Sequence, residues 1–574
     1  MSTVELKKPS LKRGVKKTDI LILMKIALVL CGTYTALIFN VQSTVFFVQA
    51  FKGNKTLAFS CICAVVAVVF AGLLLLLFKW NLLEKLYQRL REKTLLEQIA
   101  LCLFAMMCAG TYLVQFYDSA HVSAEHLGEV ESWWFHILHA FDFTAAPAGF
   151  TPPRWILSLV LFLPLMTFYL YMTMSLAEIV KSVLTTLSKA ERTFLFVASA
   201  AVIAYIVFLY NSTTIYYGGM DNIYSYDSLS DSSYLINPFY YWSYYQYPLE
   251  PNFSLPIMML AKAISPSLYL WEIIIRTLVQ LLLLLLTIVM LSRMISENPM
   301  VRIYSMLIFT FSFPVLILAP ITERRVITLI FLVIAVYQSV HKQKEDKFWL
   351  SAASGAVICN AYVALLSIRS KKTWWKDILL FAGVFLFLTA FLGKISGLLD
   401  LQSQINNFEN SGWIDEQLDT KTKLLHYLNL VCSSLFAPLS QASENNTSWI
   451  MTIMDAGKLQ YLHILGFAML ALATAGFVLN YKNRFAQTAF AGILASVFFV
   501  FIKALNINEN AVVLNTLFFA WAFVSLIIMA IDKLLRNKIV KHIVLAAIFG
   551  ACYFYNIMAA YQLYTFGKAF HPIA

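Results

Sequence analysis

Charged side chains are scarce in this sequence. Asp, Glu, Lys and Arg make up 13% of its 574 residues against 60% hydrophobic residues, and the mean hydropathy is +0.72. A soluble domain of this length is not built from such a composition. The charge that is present does not gather either. The net charge of +12 is spread over short loops between apolar runs, which argues against a polyanion groove and against nucleic acid as a partner. Cysteine is also sparse: Cys31, Cys61, Cys63, Cys102, Cys108, Cys359, Cys432 and Cys552 all fall within or beside apolar runs. They are expected to act as small buried hydrophobes, not as a disulfide framework or a Cys/His metal site. Missing too are a Gly-rich phosphate loop, HExxH, GxSxG and the run of intramembrane acids that proton pumps use.

Apolar runs dominate what remains. Stretches of about 18 to 25 apolar residues recur along the chain, each long enough to cross a hydrocarbon core of about 30 Å as a helix. Strands of a membrane barrel would be shorter and would alternate. The sequence therefore predicts an all-α polytopic membrane protein with about 13 or 14 transmembrane helices. The start, "MSTVELKKPSLKRGVKK", reads as a cytoplasmic basic tail before a retained first helix, because no small-residue cleavage site follows it.

With that tail inside, crossings are expected at 19–41, 57–78, 97–116, 154–180, 193–210, 268–292, 301–318, 326–340, 376–393, 461–480, 486–504, 511–531 and 538–557. Every inside loop is then basic, as charge bias requires. Segment 348–368 has basic residues at both ends. It is expected to re-enter the membrane around Gly355 instead of crossing it, since broken helices are tolerated at depth when buried in protein. The organisation expected is a tail (1–18), a four-helix region (19–192), a core (193–531) and a C-terminal helix with a short external tail (532–574).

Polar residues concentrate in three external regions, 117–153, 211–256 and 394–460. In the first, His121, Glu125 and Glu129 would share one helix face, but the spacing matches no tight ligand signature, and an amphipathic surface helix is expected. In the second, Asp221, Asp227 and Asp231 are interleaved with tyrosines and followed by Pro238, Pro248 and Pro251. Two readings stand: an interfacial aromatic belt, or a sugar or headgroup site in which Tyr224 and Tyr226 pack on sugar rings and a carboxylate serves as base. In the turn "APITERR", Arg324 and Arg325 sit at an external end against the positive-inside bias. Guanidinium groups there suit bidentate phosphate binding. Lys262, Lys394 and Lys503 also fall near external span ends, where the alternative is snorkelling to headgroups.

The order of "YSYDSLSDSSYLINPFYYW", "YPLEPNFSLPIMMLA", "FSFPVLILAPITERRVITLIFLVIAVY" and "NINENAVVLNTLFFAWAF" resembles bacterial multi-pass membrane glycosyltransferases of the GT-C fold class. The match covers roughly 193–531 and departs from the common pattern in having lone aspartates where many relatives have adjacent acids. The resemblance implies a GT-C-like core in a bacterial plasma membrane that transfers a sugar from a polyprenyl-phosphate carrier to an envelope glycan or lipid-linked acceptor on the outer face. It implies Asp227 as general base, Asp221 assisting it or holding a divalent metal, and Arg324, Arg325, Lys394 and Lys503 at the donor phosphate. Tyr224, Tyr226 and Glu323 would contact substrate, and no nucleotide cofactor is implied. Rival readings are a transporter, flippase or polymerase of lipid-linked glycans, and a non-catalytic membrane scaffold.

Overall fold

A chain inside hydrocarbon must satisfy its backbone polar groups internally, which favours helix. The computed structural model describes residues 17–42, 51–127, 152–216, 249–264, 269–321, 324–341, 346–368, 372–395, 398, 418–442, 449–450, 460–503 and 515–573. The first group of helices is α1 (Lys17–Gln42), α2 (Lys55–Leu74), the short α3 (Leu82–Arg91), α4 (Leu95–Leu127) and α5 (Pro152–Thr185). The middle holds α6 (Lys189–Tyr210), α7 (Glu250–Ile264), α8 (Tyr269–Ile295), α9 (Pro299–Thr310), α10 (Arg324–Val340), α11 (Asp346–Ala356) and α12 (Trp374–Phe391). The last group is α13 (Thr420–Ser433), α14 (Tyr461–Leu479), α15 (Arg484–Ser496), α16 (Thr516–Leu534) and α17 (Lys538–Phe570).

Among the described residues, eleven helices are long and apolar enough to cross a membrane. Two shorter ones, α9 continued by a π-helical turn at Pro314–Leu318 and α10, run between the same two ends of the bundle. They fall at the two further positions where the hydropathy predicts crossings. The fold is therefore an all-α, multi-pass membrane protein.

The basic loops meet at one end of this bundle. Ion pairs between described residues gather there: Arg89 with Glu178, Glu191 with Arg293 at 2.9 Å, Lys347 with Asp377 at 3.9 Å, and Asp532 with Lys541 at 2.6 Å. Side-chain caps start several helices at the same end, Ser188 on α6, Asn298 on α9, Asn483 on α15 and Asn537 on α17. Each supplies an acceptor to N–H groups that the first helical turn leaves unmet. Glu191 does both tasks, closing the capping box with Ser188 and holding Arg293 of α8.

Two expectations need correction. The regions 211–256 and 394–460 are not wholly external loops, because part of each is buried helix. Residues 250–256 belong to α7, where Glu250, Asn252 and Phe253 are buried, as is Leu249 just before it. In α13, residues 425–433 are buried throughout. Its His426, Asn429 and Ser433 lower the hydropathy below that of a crossing, yet the surrounding bundle accommodates them. The Tyr427 and Ser496 hydroxyls lie 3.0 Å apart, and just beyond α13 the Asn556 amide donates to the carbonyls of Phe311 and Leu435 while accepting from the Ala437 N–H. In the first polar region α4 continues as helix to Leu127, so the backbone at His121 and Glu125 is helical. Glu129 lies outside the described residues.

Candidate functional site

The site is created by a segment that enters the bundle and turns back. α11 rises from the basic end, the chain becomes extended at Val357 (φ −153°, ψ 137°), and a 3-10 helix, Ile358–Ser367, returns. Both ends lie at the basic end. The Lys347 ammonium donates to the Ser367 carbonyl, and the Arg484 guanidinium donates to the carbonyls of Leu366 and Ile368. The segment around Gly355 thus turns back and leaves at the end where it entered.

α7 starts against this turn. The Leu249 N–H donates to the Gly355 carbonyl at 2.7 Å, meeting one of the C=O groups that the end of α11 leaves open. A side chain at position 355 would run into that of Leu249. The ring of Phe253 lies 4.7 Å from Phe331, which sits near the middle of the 17-residue α10. The N-terminus of α7 is therefore about halfway through the bundle, and the helix climbs from there toward the end opposite the basic loops. On the way Thr111 of α4 donates its hydroxyl to the Met259 sulfur at 2.8 Å.

Polar side chains are buried on the elements that run from this start to the far end of the bundle. Glu250, Asn252 and Ser254 on α7, Arg276, Thr277 and Gln280 on α8, Arg325 on α10 and Asn360 at the turn are all buried. Arg276 and Gln280 are one turn apart on one face of α8. Arg325 places its guanidinium carbon 5.8 Å from the ring centroid of Phe518 on α16, a cation–π contact, and lies within electrostatic reach of Cys359. Asn252 and Asn360, 0% and 1% exposed, make no hydrogen bond to a described residue through either end of their amides. A buried polar group left unmet costs about 1–3 kcal/mol, so a polar ligand gains by meeting these two.

Lys394 is buried elsewhere, at the far end of α12. Gly393 (φ +68°) closes that helix, its N–H donating to Ala390 and the Lys394 N–H to Thr389. A Cβ on Gly393 would come within 2.7 Å of Phe39, so both the left-handed backbone and the close approach require glycine. Asn40 of α1 fixes the same turn by donating to the Ala390 carbonyl at 2.7 Å. Burial brings the Lys394 ammonium down to about 7.

Of the residues singled out from sequence, Arg325 joins the buried centre, Lys394 is buried apart from it at the end of α12, and Lys503 is exposed at the far end of α15. Arg324 opens α10. Its side chain, with Glu323, Asp221, Tyr224, Tyr226 and Asp227, lies outside the described residues. Sequence reading missed Glu250, Asn252, Arg276, Gln280 and Asn360. Arg276 carried a signal, since an ionisable residue inside an apolar span points to function by default. Among the described residues no group of three His, Cys, Asp or Glu side chains is placed to hold a metal ion. No family model, curated protein or solved structure matches this chain.

Proposed function

We propose that the protein is a membrane glycosyltransferase, moving a sugar from a polyprenyl-phosphate carrier to a cell-envelope acceptor at the outer face of a bacterial plasma membrane. The observation that supports this most is the set of polar groups buried in an apolar bundle on α7, α8, α10 and the turn after α11: a carboxylate, two guanidinium groups and two unmet amides. Such a reaction needs a base for the acceptor, cations for the departing phosphate and hydrogen-bonding groups for the sugar.

Asp227, in the segment that leads into α7, is the proposed base, with Asp221 assisting it or holding a divalent cation. Tyr224, Tyr226 and Glu323 line the sugar. The acceptor hydroxyl gives its proton to Asp227 as its oxygen bonds to the anomeric carbon. The bond from that carbon to the phosphate oxygen breaks, and polyprenyl phosphate leaves with the electron pair. Arg325, with Arg324, matches a charge that is greater in the transition state than in the bound donor, while Lys394, buried apart from the centre, is left out of this role. Asn252 and Asn360 hydrogen-bond sugar hydroxyls, and Glu250 balances Arg276 and Arg325 while the site is empty of donor.

The test is made in cells lacking the gene. They should accumulate polyprenyl-phosphate sugar and lose one envelope glycan substituent, and the wild-type gene should reverse both. Asp227→Asn should restore neither at normal protein level, since a lost general base costs about 10² to 10⁴ in rate. Unchanged pools of lipid-linked sugar in the deletion strain would reject the proposal.

One observation favours a second reading, transport of a lipid-linked glycan. α7 is a half-length helix whose N-terminus meets a re-entrant turn near mid-depth, and discontinuous helices of this kind form substrate sites in carriers. Counterflow of labelled lipid-linked glycan in proteoliposomes separates the two, because a transferase releases free polyprenyl phosphate and a carrier does not.

A further inference from the structure

A cavity of about 1300 Å³ lies among α1, α2, α5 and α12, with α3 across its basic end. It is larger than the roughly 300–1,000 Å³ typical of small-molecule pockets. Its body is apolar, lined by Phe168, Gly383 and Phe387, while Lys85, Arg89 and Lys347 stand at its mouth with Glu92 and Glu178. On α5 the lining runs from Glu178 at the mouth to Pro164, fourteen residues and therefore about 21 Å along the helix axis. That exceeds half of a hydrocarbon core of about 30 Å.

α3 makes the mouth distinctive. Leu82 and Leu86 turn to the cavity while Lys85 and Arg91 are exposed, the pattern of a helix lying in the membrane interface. On α3, Arg89 pairs with Glu178, while Lys85 and Arg91 stay exposed, and the basic loops gather at the same end. Such clusters draw anionic lipid headgroups to the cytoplasmic leaflet. We infer that this cavity seats a phospholipid with an anionic headgroup, taken from the leaflet at the basic end, with its phosphate near Lys85 and an acyl chain running inward past Phe168. The inference does not rest on the reading of the polar centre.

Full-length protein in phosphatidylcholine bilayers, carrying a trace of phosphatidylglycerol with a photoactivatable acyl chain, tests it. Cross-links should concentrate on α2, α5 and α12 around Phe168 and Phe387, several-fold above those from phosphatidylcholine bearing the same chain. A Cβ on Gly383 would meet nothing within 4 Å, so Gly383→Phe should fill the space without unfolding the protein and cut the labelling several-fold. Lys85→Glu, an exposed change, should remove the preference for the anionic lipid while leaving the melting temperature in detergent unchanged. Labelling spread evenly over the lipid-facing helices, equal labelling from the two lipids, or insensitivity to Gly383→Phe in folded protein would overturn the inference.

Discussion

Burial disfavours the charged form of a lysine, and Lys394 is fully buried, which brings its ammonium down to about 7. The unfolded chain holds that proton up to the ordinary lysine range near 10.4. Between about 7 and 10.4 the unfolded state therefore binds more protons than the folded one, and stability rises with pH across this window. Below about 7 both states are protonated and the cost of the buried charge is fully present. Melting temperatures in detergent, read from pH 6.5 to 10 for wild type and Lys394→Met, should converge as pH rises, with the variant the more stable at the acid end. Parallel curves would place the Lys394 ammonium in a polar surrounding. The sequence marked this lysine only as a cation near a span end; its burial depends on Gly393 folding the chain back beneath Phe39.

Helices in a lipid solvent gain little from hiding apolar surface, so close contact between backbones decides how they pack. Gly476 of α14 lies against the Leu526 carbonyl of α16, and Gly466 lies against the Leu428 carbonyl of α13. A methyl group at either site meets backbone, which cannot rotate away. Gly476→Ala should cost about 1–3 kcal/mol, the usual range for overpacking, seen as a lower melting temperature. Gly110→Ala on α4, where an added Cβ meets nothing within 4 Å, should be near neutral. Equal behaviour of the two variants would show that α14 and α16 separate freely. The crossing helices were legible in the sequence because each is a long apolar run. α7 and α13 were not, because Glu250, Asn252, His426 and Asn429 give them the polarity of loops, and only the surrounding bundle makes that polarity tolerable.

A topology of thirteen crossings and one re-entrant turn, as the sequence predicts, would fix which loops share a side. In a cysteine-free background, cysteines at His341 and Lys372 should both resist an impermeant thiol reagent in intact cells, whereas one at Lys503 should react. Labelling of Lys372 alone would turn segment 346–368 into a crossing and reverse every helix after it. The position of Glu250 near mid-depth also carries an electrical consequence. A charge crossing the whole membrane exchanges about 2.3 kcal/mol per 100 mV, so one carried from the outer face to the head of α7 exchanges roughly half as much. In a cell that is negative inside, this work opposes the entry of an anion. On the proposed reading, the phosphate of a lipid-linked donor would stay toward the outer face while its uncharged sugar would reach Asn252 and Asn360 at no electrical cost, so the resting voltage would itself help to orient the donor.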